Sequence, residues 1–140
     1  RLLQDGKINE SIVIYKQLKS EIKEPDSFLE YYLANIYYSQ KEFKKAKIHF
    51  QNAIDLDDKP YRITTEINSI IEKIALENNI PLIDVYSRIE NESQNNIIDY
   101  DLFSDHVHLN DNGNQIAMDE LYLGISQYLD SNGKLFWNKK

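Results

Sequence analysis

The chain has 140 residues and a formal charge of −7, which makes nucleic acid a poor partner, since phosphates would be repelled and no arginine-rich stripe offsets this. It contains no cysteine, excluding disulfides, thiolate nucleophiles and thiolate metal sites, and no apolar run of about 18 residues that could span a membrane as a helix. Hydrophobic residues make up 41%, tyrosines number ten, and glycine and proline only four and three, a balance that predicts a mostly α globular chain. Arg1 falls inside an apparent helix, so the chain reads as a piece of something longer.

In chain order, Leu2-Leu3, the Asp5-Gly6-Lys7 turn, then Ser11, Tyr15 and Leu18 fit the end of one helix and the start of a second. Pro25 cannot continue that helix, and Asp26 or Ser27 can cap the next by accepting orphan backbone N–H bonds. From Ser27 to Asp57, Leu33-Ala34, Tyr37, Ala46, Phe50 and Ala53 alternate small and large residues over two helices, interrupted at Ser39-Gln40-Lys41-Glu42. This pattern resembles a tetratricopeptide repeat, whose small residues allow close helix approach and whose unit recurs at about 34 residues. Glu30 occupies the place where such a repeat usually carries a large aromatic, with Tyr31 beside it. Residues 1–58 are accordingly expected to be tetratricopeptide-like helical hairpins, the first one truncated. The resemblance implies a concave surface for a peptide or protein partner, with Phe28, Tyr31, Asn35 and Tyr38 as its liners. His49 and Lys41, Lys44, Lys45 and Lys47 read as structural or solvated residues.

The pattern changes after Asp57. Ile63, Ile67, Ile70, Ile71 and Ile74 recur at spacings of three and four, predicting a helix with one apolar stripe that ends near Asn78-Asn79. Ile80-Pro81-Leu82-Ile83-Asp84-Val85 is short, apolar and β-branched and reads as a strand, one that needs pairing strands from another stretch of chain. Residues 91–100 are polar and read as a loop or short helical turn. Ile116, Ala117, Leu121, Ile125 and Tyr128 mark a last helix, with Asn110 or Asp111 as its cap. Trp137, in the tail, reads as a cover for a nearby apolar patch. Residues 59–140 are thus expected to form a small α/β remnant of one helix, one short strand, a histidine loop and a C-terminal helix.

The loop holds the chemistry. Asp105-His106-Val107-His108-Leu109-Asn110, followed by Asp111-Asn112-Gly113-Asn114, puts a carboxylate three residues before an imidazole, where it can fix the ring's tautomer and stabilise an imidazolium. The block, with the helix, the strand and Phe103 before it and Ile116-Ala117 after it, resembles the closing Asp-x-x-His segment of SGNH (GDSL-like) hydrolases. That resemblance implies a serine ester hydrolase or O-acyltransferase in which His108 is the general base and Asp105 orients it. It also implies a Gly-Asp-Ser nucleophile block and oxyanion-hole glycine and asparagine, none of which occurs here. Ser87, Ser104 and Ser126 lack the required surroundings. The nucleophile is therefore expected in a missing N-terminal part of the same protein, the substrate is expected to be an ester, and this piece alone is expected to be inactive. No cofactor or metal is expected. Two rival readings stand beside this one: His106, His108 and Asp105 as metal ligands, and Asp105 as a turn cap between two surface histidines. A tetratricopeptide interaction module with no catalytic role is the alternative for the whole chain.

Overall fold

The computed structural model describes residues 8–22 and 24–131. Among these the protein is mostly α, with six helices and one 3-10 turn: α1 (Ile8–Glu21), α2 (Ser27–Ser39), α3 (Phe43–Asp55), α4 (Thr65–Glu77), α5 (Val85–Glu92), the turn Gln94–Asn96, and α6 (Asp111–Ser131). The Asp5-Gly6-Lys7 turn and the Trp137 tail lie outside the described residues. The chain divides into two compact units, Arg1–Ser69 and Ile70–Lys140.

In the first unit α2 packs against α1 and, more extensively, α3. Helix α2 starts where Asp26 accepts the Leu29 N–H at 2.7 Å, satisfying one of the orphan donors of its first turn. It stops at Lys41, which adopts a positive φ of 60°. There Lys41 N–H donates to Tyr38 C=O and Glu42 N–H to Tyr37 C=O, both at 2.9 Å, a Schellman-type close that uses up the last carbonyls. Leu29, Leu33, Ala34, Ile36, Tyr37 and Ala46 form the core, and the absence of bulk at Ala34 and Ala46 permits the close α2–α3 approach. Aromatic edges complete the seam, Tyr31 against Phe50 at 5.9 Å and Tyr38 against Phe43 at 5.4 Å. Asp55, at the end of α3, accepts the Thr65 N–H of α4 at 2.8 Å and the Gln51 amide at 3.1 Å; partial burial raises its carboxyl, but these bonds and one from the Thr65 side chain outweigh it and keep the carboxyl below the ordinary range.

Helix α4 ends as its sequence suggests. Asn79 takes a positive φ of 53°, and Ile80 N–H reaches Ala75 C=O at 2.9 Å. Its stripe stays uncovered, however, with Ile67, Ile70, Ile71 and Ile74 each 42–49% exposed. The strand expected over 80–85 does not form: residues 80–84 have no regular secondary structure, and Val85 begins a helix. A strand needs a neighbour for its backbone groups, and no other strand exists among the described residues. Asp84 instead accepts the Ser87 N–H at 2.9 Å and caps α5. Helix α5, placed partly in the expected strand and loop, packs on α6 and buries Ile89; Ile97 and Leu102 are the other large buried side chains nearby. No β-sheet is present among the described residues, so the α/β character expected for 59–140 is not seen; the only pairing is an isolated antiparallel bridge between Phe103 and Leu109.

Candidate functional site

The bridge closes residues 103–109 into a loop. Ser104 N–H donates to His108 C=O at 2.8 Å, and Asn110 N–H donates to Leu102 C=O at 3.0 Å. Inside this loop the Asp105 carboxylate does two things. Its Oδ1 accepts the backbone N–H groups of Val107 and His108, each at 2.8 Å, the self-turn that aspartate forms readily. Its Oδ2 meets His108 Nδ1 at 2.8 Å. The Val107 N–H, then the His108 ring and N–H, hold the Asp105 carboxyl far below the usual carboxylate range.

An ionised carboxylate only accepts, so His108 Nδ1 carries the proton in this bond, which leaves Nε2 as the ring nitrogen that can present a lone pair. The His108 side chain is 76% exposed, open to a proton donor. Asp105 and His108 are therefore brought together, a carboxylate on one ring nitrogen and the other left open.

The loop is seated by α6. Asn110 Oδ1 accepts the Gly113 N–H at 3.0 Å and caps the helix, while its Nδ2 donates to Asp101 C=O at 3.0 Å. Gly113 is buried against the loop, and a Cβ there would stand 2.2 Å from Leu102 O and 2.9 Å from Leu109 Cδ2.

Phe28, Tyr31, Asn35 and Tyr38 share one face of α2, as their spacing of three, four and three requires. Phe28 is the most open, at 73% exposure. Tyr31 and Tyr38 lay part of their rings on α3, and Asn35 Nδ2 bonds back to Tyr31 C=O at 2.8 Å.

A polar cluster escaped sequence reasoning. Glu30 is buried, and its carboxylate binds Lys19 of α1, His49 Nδ1 at 2.6 Å and Asn52 Nδ2 at 3.0 Å, both of α3. His49 also stacks on Tyr37 with ring centroids 5.1 Å apart. Burial alone raises the Glu30 carboxyl, but the bonds from Lys19, Asn52 and His49 outweigh it and bring it to about 2. The available signal was the register: Glu30, Leu33, Ala34 and Tyr37 fall on one helical face, so a carboxylate there needs partners.

No group of three or more His, Asp or Glu side chains that could hold a metal ion occurs among the described residues. No helix among them is long and apolar enough to cross a membrane. No protein-family model matches the chain, and neither a curated protein nor a solved structure is significantly similar to it.

Proposed function

We propose that this chain supplies the acid–base half of a serine ester hydrolase of SGNH type, with Asp105 and His108 as its catalytic pair and the nucleophilic serine outside these 140 residues. The observation that carries the reading is the 2.8 Å bond from His108 Nδ1 to an Asp105 carboxylate already tied to two backbone N–H groups. Those two backbone bonds aim the anion at the ring, and it leaves Nε2 as the base.

In the reaction, Nε2 takes the proton from the serine Oγ as that oxygen attacks the ester carbonyl. The imidazolium, stabilised by Asp105, then gives the proton to the departing alkoxide. A water deprotonated by the same nitrogen hydrolyses the acyl-enzyme and regenerates the serine. The closing Asp-x-x-His resemblance supports this assignment. The half-exposed isoleucine stripe of α4 and the strandless 80–84 segment fit a lobe completed by a sheet from elsewhere in the protein.

The test is the rate of p-nitrophenyl acetate hydrolysis by the intact protein. His108→Ala is expected to lower kcat by about 10³-fold or more, whereas His106→Ala, which removes the same imidazole chemistry two residues away, retains activity. Equal rates for His108→Ala and wild type would overturn the assignment.

A second reading is favoured by the openness of Phe28. The α2–α3 hairpin, with its tetratricopeptide-like pattern, is proposed to dock a peptide or partner protein along Phe28, Tyr31, Asn35 and Tyr38. The two roles are compatible in one protein.

A further inference from the structure

We propose that Asn110 is a positioning residue that holds His108 in register with Asp105; that the held group is a general base rests on the hydrolase reading above. The His108 ring is 76% exposed and its ion pair with Asp105 lies in solvent, where a pair by itself does little to fix two side chains. The geometry therefore depends on the backbone of residues 105–108, and that backbone depends on how the loop is closed.

Asn110 makes four bonds where the loop closes, two to the chain that enters it and two to the first turn of α6. Its N–H donates to Leu102 C=O at 3.0 Å and its C=O accepts the Asn114 N–H at 2.8 Å. Its side-chain oxygen caps α6 at Gly113, and its side-chain nitrogen holds Asp101 C=O, both at 3.0 Å. One residue thus ties the chain entering the loop, the chain leaving it and the first turn of α6 together, two positions from the base. The amide does both side-chain jobs because it carries an acceptor and a donor on one planar head. Aspartate keeps the helix cap, being an equally good N-cap residue, but sets a second acceptor against the Asp101 carbonyl and loses that tie.

Asn110→Asp is therefore the informative variant, since it removes the loop tie while preserving the start of α6. In the intact protein the imidazole 15N shifts of His108 are expected to show the Nδ1–H tautomer in the wild type. In Asn110→Asp they are expected to move toward the Nε2–H tautomer favoured by free histidine, with kcat reduced at least about tenfold and KM unchanged. Asn110→Ala, which removes both ties, is expected to move the signature further. An unchanged tautomer signature and kcat in Asn110→Asp, with only a lowered melting temperature, would overturn the proposal and make Asn110 a helix cap alone. Absence of ester hydrolysis in the wild type would refute the hydrolase reading, while the tautomer signature, read without substrate, still decides whether Asn110 holds His108.

Discussion

Gly113→Ala puts a single methyl group against the seat of the histidine loop. The added Cβ would lie 2.2 Å from Leu102 O, about 1 Å inside any tolerable contact. That oxygen cannot swing aside freely, because it accepts the Asn110 N–H at 3.0 Å. Relief therefore requires backbone movement of the loop or of the first turn of α6, an overpacking cost of about 1–3 kcal/mol plus about 1 kcal/mol for a weakened hydrogen bond. Alanine's better helix propensity returns at most about 1 kcal/mol. The net loss of about 1–3 kcal/mol corresponds to a fall in melting temperature of roughly 5–15 °C for a unit of this size.

Gly124→Ala is the matched comparison. The atoms its Cβ would meet first belong to the Ile83 side chain, at 2.7–3.0 Å. Both γ carbons of this β-branched side chain are involved, so Ile83 must shift as a whole, but it lies in the irregular 80–84 segment, and with the propensity gain the loss is expected to stay at about 1 kcal/mol or less, below that at Gly113. Thermal unfolding of both variants followed by far-ultraviolet circular dichroism checks the pair. A Gly113→Ala protein as stable as wild type, or two variants with equal losses, would refute the docking of α6 on the loop carbonyl.

Two further substitutions probe the helical hairpin. Glu30 moves from an ordinary 4.5 to about 2 on folding, so the unfolded chain binds more protons between those values, and the stability it contributes is present above pH 4.5 and lost as pH falls toward 2. The size at neutral pH is about 3 kcal/mol from the displacement alone, nearer 2 once solvent around the half-exposed Lys19 is allowed for. In denaturant titrations Glu30→Gln is expected to be less stable than wild type by that amount at pH 7 and equal to it near pH 2; a constant gap across this range would contradict the network. Lys41 sits at a positive φ of 60°, a conformation that costs a non-glycine residue about 1 kcal/mol. Lys41→Gly is expected to raise stability by about 0.5–1 kcal/mol, and a decrease in the same titration would show that the lysine makes a compensating contact.

Local patterns were the legible part of this chain. Pro25 with Asp26 or Ser27 marks the start of α2, the break at 39–42 separates it from α3, and Asn110 or Asp111 announces α6, because each signal acts within one helical turn; the structure selects Asp26 and Asn110 as the caps. The Asp105–His108 pairing was readable for the same reason, since three residues of backbone suffice to bring the groups together. What required long-range information was not readable. Residues 80–85 have strand composition, but composition does not supply a neighbouring strand, and Asp84 was equally able to cap a helix. Helix α5 offers only Val85 and Ile89 as a stripe, too few to show a period. Glu30 stands out in the sequence as a carboxylate at an aromatic position, yet its partners lie 11, 19 and 22 residues away on other helices, distances at which spacing alone names no contact.

Covalent labelling of the intact protein with a serine-directed fluorophosphonate, located by peptide mass spectrometry, tests most directly whether Asp105 and His108 activate a serine. Label is expected on one serine outside these 140 residues, retained in His106→Ala and lost in His108→Ala. No labelled serine, or labelling indifferent to His108, would contradict the hydrolase assignment and leave the Asp105–His108 bond as a feature of the loop alone.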